Sequence, residues 1–149
     1  MKNKIMAIIA RKIGDKSHFL ALRNNPTDPI HGGDFYYVVT GGVEAKDRNE
    51  EDTVRREIDE ETGIQNILAI NKLSITKEYT DAFGDICKEN VYGVITNQEV
   101  EHLNKENIEY LWLTNEEFVK TIRWYGPKEE IASLLVEIDS MFPNQYCDF

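Results

Sequence analysis

Nothing in this chain approaches the roughly 20 consecutive apolar residues that a helix needs to cross a bilayer, which sets membrane proteins aside. Cysteine is nearly missing: Cys87 and Cys147 are the only two, far apart and without metal-ligand spacing. A reduced, cytoplasmic setting is therefore the simpler expectation, with a disulfide between them left open. Basic charge is in deficit, 17 Lys and Arg against 27 Asp and Glu, for a formal net charge of −10. That balance argues against a nucleic-acid partner, because such binding draws on Lys and Arg neutralising phosphates. Internal repeats and low-complexity tracts are also missing. A cleavable leader is not expected either: Met1-Lys2-Asn3-Lys4 precedes a short apolar run, but Arg11 and Lys12 break it and no small-residue cleavage site follows, so a first β-strand explains it better.

What is present is the composition of a folded globular protein, 149 residues with 41% hydrophobic and 30% charged side chains. The length suits a single domain over 1–149. Strands are expected at Lys4 to Arg11 and His18 to Arg23, joined by a hairpin turn at Gly14-Asp15-Lys16. Asn24 to Asp34, rich in Pro, Gly, Asn and Asp, reads as a loop. Phe35 to Val39 is aromatic and β-branched, hence a strand, ended by Gly41-Gly42 where the backbone must turn sharply or approach something closely. Further strands are expected at Ile67 to Thr76, Asn90 to Thr96 and Ile108 to Leu113, with helices near Asn115 to Thr121 and Pro127 to Met141. Strands alternating with a few helices indicate an α/β or α+β sandwich.

Asn49 to Thr62 gives the clearest helix. Asn49 is placed as N-cap, Glu50, Glu51 and Asp52 fall in the first turn where the helix dipole favours negative charge, and Gly63 stops it. Between Glu50 and Glu61 lie seven acidic residues. Glu57, Glu60 and Glu61, spaced i, i+3 and i+4, share one face, where like charges repel unless a cation sits between them. Oxygen ligands alone favour Mg²⁺, Mn²⁺ or Ca²⁺ over zinc. The plain alternative is a solvated acidic face with Arg55 and Arg56 in exposed ion pairs. Against it stands the context, since Val54 and Ile58 supply a narrow apolar stripe that would dock this helix on the sheet after a Gly-Gly loop. An acidic protein can then hold a small polyphosphate through divalent cations.

Gly42 followed by Arg56-Glu57-Ile58-Asp59-Glu60-Glu61-Thr62-Gly63-Ile64 resembles the signature of the Nudix hydrolase family, G-x5-E-x7-R-E-U-x-E-E-x-G-U, where U is apolar. The resemblance implies an α/β/α sandwich with a mixed, curved sheet flanked by helices. It implies Mg²⁺-dependent cleavage, with Mn²⁺ as a substitute, of a diphosphate bond in a substrate linked to a nucleoside diphosphate. It also implies Glu57 and Glu61 as metal ligands, a carbonyl of Gly41 or Gly42 completing the shell, Glu60 as further ligand or base, and Arg56 orienting the glutamates by charge-assisted hydrogen bonds. One position departs: the first signature glutamate falls on Arg48, and Asp47 takes its role only if the loop bulges by one residue. In the family the base often lies outside the signature; Glu106, just before the strand ending in Trp112, is the first candidate and Glu89 the reserve.

The run Asp34-Phe35-Tyr36-Tyr37-Val38-Val39-Thr40-Gly41-Gly42-Val43-Glu44 is similar to the branch typified by dihydroneopterin triphosphate and (deoxy)nucleoside triphosphate pyrophosphatases. This implies a small nucleotide-like triphosphate whose ring stacks on an aromatic, with diadenosine polyphosphates and nucleoside diphosphate sugars left open. Arg23 is a candidate phosphate contact, and Tyr36, among Phe35, Tyr36 and Tyr37, a candidate stacking residue. His18, His31 and His102 are scattered and read as surface or structural. Trp112 and Trp124 read as packing residues, although the loop from Arg123-Trp124 to Gly126 could close over a site. A homodimer is compatible with the sequence. Two further readings stand beside the enzyme: a catalytically silent Nudix domain that binds a nucleotide as a sensor or interaction module, motivated by Arg48, and a purely structural acidic domain.

Overall fold

From Ile5 to Ala10 every side chain is apolar and buried. Successive side chains of a strand point to opposite faces, so such a run requires both faces to be covered. The computed structural model, which describes residues 1–28 and 32–143, shows this. Strand β1 (Lys2–Ile13) sends Ile5, Ala7 and Ile9 into one core, and Met6, Ile8 and Ala10 into a second core on the other side of the sheet. Helix α1 (Glu50–Thr62) closes the first with Val54 and Ile58. Helices α2 (Asn115–Thr121) and α3 (Lys128–Asp139) close the second with Phe118 and with Ile131, Leu134, Leu135 and Ile138, whose spacing is that of one helical face. The expected α/β/α sandwich is what forms. No helix among the described residues is long and apolar enough to cross a membrane.

The remaining strands are β2 (Lys16–Asn24), β3 (Tyr36–Tyr37), β4 (Val39–Gly42), β5 (Ile67–Thr80), β6 (Ile86–Thr96) and β7 (Asn107–Leu113). β1 runs parallel to β6 along most of its length and antiparallel to both β2 and β4, so the sheet is mixed. Near the hairpin turn β1 pairs with β2 through Ala10 to Ile13, and nearer its start it pairs with β4 through Lys4 to Ala7. The two hairpin strands thus diverge, and β3 and β4 fill the gap, β3 on Leu22 and Arg23 of β2 and β4 on β1.

Here the strand expected at Phe35 to Val39 is corrected. It is divided at Val38, and Gly41 and Gly42 lie inside β4, paired to Ile5 and Lys4, rather than in a turn. Close approach is the property the glycines serve. A Cβ on Gly41 would fall 2.1 Å from Glu57 Cδ, so only glycine lets the helix carboxylate lie against this strand. β5 and β6 also extend beyond the apolar stretches that marked them, forming a projecting hairpin whose turn spans Asp81 to Asp85. The paired backbone continues there although one face has lost its core. Part of the loop expected at Asn24 to Asp34, with His31, lies outside the described residues, as does Cys147; Cys87 is buried and free.

Candidate active site

α1 begins and ends where its local chemistry dictates. The Asn49 side chain accepts from the Asp52 N–H, and Gly63 at φ 75° lets the last turn close with its N–H on the Asp59 carbonyl. These two caps fix the register at which Arg56, Glu57, Glu60 and Glu61 emerge.

Arg56 is the organising cation. Only 13% of its side chain is exposed, and its guanidinium donates to Asp47 Oδ1 at 3.2 Å and Oδ2 at 2.9 Å, to the Gly42 carbonyl at 2.9 Å, and to Glu57 Oε1 at 2.9 Å. Glu60 Oε1 at 3.3 Å and Glu44 Oε2 at 3.2 Å complete its surroundings. Asp47 also accepts from the Glu44 N–H and the Thr53 hydroxyl, and with the Arg56 guanidinium on it its carboxyl is held far below the usual range. Arg48, which stands where the signature has glutamate, turns outward to Asp52. Asp47 therefore holds Arg56 although it stands one residue early.

Glu57 and Glu61 act on each other as neighbours, and burial pushes both carboxyls upward. Glu61 is 3% exposed. After burial, the charges of Glu106 and Glu57 raise it further. Its Oε2 is buried and has no hydrogen-bond partner. A buried carboxylate oxygen without a partner is costly, and in native proteins such an atom calls for an explanation. Of the three glutamates expected to converge, Glu57 and Glu61 are buried, whereas Glu60 is half exposed and shares Arg56 Nη1 with Glu57. Among the described residues no group of three or more His, Cys, Asp or Glu is already gathered for an ion. The pair nevertheless fits a hard divalent cation: an orphaned oxygen, two buried carboxyls in one place, and a glycine backbone laid against one of them.

Glu106 reaches this place from the start of β7. It lines, with Glu61, a cavity of about 210 Å³ whose walls include Phe35, Tyr37, Thr40 and Tyr125. Phe35 and Tyr37 meet edge to face with centroids 6.2 Å apart, and Tyr37 and Tyr125 do the same at 6.0 Å. Sequence reasoning missed Tyr125, though it lies in the Arg123 to Gly126 loop that had been marked for its position.

The other candidates lie elsewhere. Arg23 donates to both oxygens of Asp34 at 2.8 Å and to Glu109 at 3.3 Å, and the Tyr36 hydroxyl donates to Glu109. Neither lines the cavity, because alternation along β3 turns Tyr36 away from the wall that Tyr37 forms. Glu89 is buried beside Tyr79, Lys4 and Lys77, and burial lifts its carboxyl to about 7. His18 meets the Lys16 carbonyl, and His102 packs on Gly63. Trp112 donates to Glu99 and Trp124 to Glu130.

Residues 3–144 match the family model described as NUDIX domain. Among solved structures it is similar to the C. elegans Ap4A hydrolase in a binary complex, at 21% identity over 94% of this chain and 96% of that one, with a TM-score of 0.70. It is likewise similar to the E. coli dihydroneopterin triphosphate pyrophosphohydrolase, at 18% identity, 91% and 95% coverage and TM-score 0.69. The NUDIX domain of Shewanella oneidensis NrtR complexed with ADP ribose follows at 15% identity, 91% and 86% coverage and TM-score 0.69. At these identities the likeness is one of fold. Among curated proteins no sequence match is found.

Proposed function

Because the chain belongs to the NUDIX domain family and is a hydrolase acting on pyrophosphate bonds, we propose that it cleaves a nucleotide-like polyphosphate in a Mg²⁺-dependent reaction at the Glu57–Glu61 pair. The observation that carries this reading is the buried, unpartnered Oε2 of Glu61 in a cavity shared with Glu106 and a row of aromatic rings.

Glu57 and Glu61 would hold the ion, with the Gly41 carbonyl as the backbone contribution, since the Gly42 carbonyl is engaged by Arg56. A divalent ion bound there supplies charge neutralisation for phosphate oxygens and a lowered pKa for the attacking water. Arg56, clamped by Asp47, keeps Glu57 turned to the site. Glu106 takes the proton from the water, placed across the cavity from Glu61. Glu60, half exposed beside Arg56, is a secondary ligand at most. Phe35 and Tyr37 flank the base of the substrate, the role foreseen for Tyr36. Arg23 and Tyr36, joined through Glu109, brace the wall behind them. Relatives of the same fold are named for hydrolysis of Ap4A and of dihydroneopterin triphosphate and for a complex with ADP ribose, all of which join a flat ring to a diphosphate.

The silent-sensor reading is motivated by Arg48; the Asp47 carboxylate on Arg56, one residue earlier, supports the enzyme instead. The test is release of phosphate or pyrophosphate from a panel of nucleotides with Mg²⁺ or Mn²⁺. Activity is expected in the wild type and a loss of at least about 100-fold in kcat for Glu57→Gln and Glu61→Gln. A folded wild type that binds nucleotide and turns none over would refute the enzyme and restore the sensor.

A further inference from the structure

The six residues from Ile122 to Pro127 join α2 to α3, and Tyr125 within them lines the cavity that Glu61 and Glu106 share. Surface loops are ordinarily the more mobile parts of a fold. This one is fastened to the sheet at both ends. At its start Ile122 is buried and bridges Tyr36 of β3, and the Arg123 N–H donates to the Tyr36 carbonyl at 2.9 Å. The Arg123 guanidinium lies 4.1 Å from the centroid of the Phe35 ring. At its end the Lys77 ammonium, reaching across from β5, donates to the Tyr125 carbonyl at 2.8 Å and to Glu130, and stands 4.7 Å from the Trp124 ring centroid.

The second fastening is built as a unit. Glu130 accepts from Lys77 and also, at 3.1 Å, from the Trp124 indole N–H. The Lys77 and Glu130 side chains are only 21% and 25% exposed, so the pair is sheltered from the solvent that makes most surface ion pairs weak. A Cβ on Gly126 would stand 3.0 to 3.2 Å from Glu130 Oε1, Lys77 Nζ and Trp124 Nε1, so a glycine lets all three close around the backbone. Within this fixed loop the Tyr125 side chain is left 64% exposed. Its ring meets Tyr37 edge to face, and Tyr37 meets Phe35 in the same way, so three rings serve one cavity. A ring displayed from a fastened backbone at such a place is preorganised to stack on a flat ligand.

We infer that Tyr125 is a third ring contact of the substrate, beside Phe35 and Tyr37, and that Lys77, with Glu130, is a positioning residue that sets it in place. The inference rests on the function proposed above for a ligand that carries a flat ring and phosphate, and not on turnover. Lys77 holds the backbone of Tyr125 and leaves its ring to the ligand, so whatever Lys77 contributes to affinity passes through Tyr125. A ligand then gains the stacking contact without the entropy loss of ordering the loop.

Nucleoside monophosphates have no diphosphate bond to cleave, so their binding separates this inference from the enzymatic reading. Calorimetry on the full chain compares adenosine and guanosine monophosphate with ribose 5-phosphate, which lacks the ring. At least one nucleotide is expected to bind more tightly than the sugar phosphate. Tyr125→Ala should weaken that nucleotide about tenfold, and Tyr125→Phe should keep the wild-type Kd, since the ring and not the hydroxyl makes the contact. Lys77→Met, which retains the aliphatic stem, should weaken it about threefold to tenfold and add nothing in the Tyr125→Ala background. A Lys77→Met loss of equal size with and without the Tyr125 ring would overturn the positioning role. Wild-type affinity in Tyr125→Ala, an equal loss for ribose 5-phosphate, or a wild type that binds neither nucleotide better than ribose 5-phosphate would overturn the ring contact. If no nucleotide is hydrolysed the proposed function falls, yet affinity that depends on Tyr125 and Lys77 in this manner still supports the inference.

Discussion

Asp47 shows how a single residue can satisfy a requirement from the wrong sequence position. A buried guanidinium needs its donors matched, and an aspartate one position before Arg48 does so with both oxygens on Arg56. Its side chain is 4% exposed and carries the Thr53 hydroxyl and the Glu44 N–H as well. Asp47→Asn removes the charge and half the fork, which releases Arg56 to pull Glu57 from its place. We expect kcat to fall about 10- to 100-fold with little change in KM, since neither residue lines the cavity. Asp47→Glu should restore part of it. A rise in KM with kcat intact would place Asp47 in substrate binding instead. The pairing was open in the sequence, because only the path of the loop decides whether position 47 or 48 faces the helix.

Helix α1 is the element whose ends matter most. Its N-terminus is held by the Asn49 side chain on the Asp52 N–H, and Glu50, in the first turn, accepts from Asn90 and Tyr92 across the sheet. Replacing Asn49 by Ala should cost about 1 kcal/mol, read as a lower Tm, with kcat nearly unaltered because the glutamates lie on the later turns. A large fall in kcat at unchanged Tm would mean that the cap tunes the site rather than the helix. The bounds of α1 were legible because capping and helical spacing are local. The split of β3 from β4 was not: it follows from the divergence of β1 and β2, which no residue of that segment encodes. The extension of β5 and β6 was hidden for a related reason, since a hairpin beyond the core lacks the apolar alternation by which strands are recognised.

At the scale of the whole molecule, stability depends on pH through charges that the fold has buried. Glu89 is 5% exposed, and burial lifts its carboxyl from 4.5 to about 7 against the opposing pull of Lys4, Tyr79 and Lys77. The folded state thus keeps a proton that the unfolded chain releases. Below 4.5 both states are protonated; as pH rises from there to about 7 the folded state loses relative stability, by up to about 3 kcal/mol, and above that the loss is complete. Glu89→Gln should therefore gain Tm relative to the wild type on going from about pH 5 to about pH 8. A Tm difference that stays constant across this range would show that Glu89 ionises freely. The sequence by itself determined the sandwich, the helix and the acidic pattern upon it, because periodicity, capping and composition act over a few residues. Only the tertiary structure decided that Glu61 and Glu106 line one cavity, that Glu60 stays half exposed beside Arg56, and that Tyr37 rather than Tyr36 lines that cavity. Burial and charge depend on neighbours brought together across the sheet, and those neighbours are far apart along the chain.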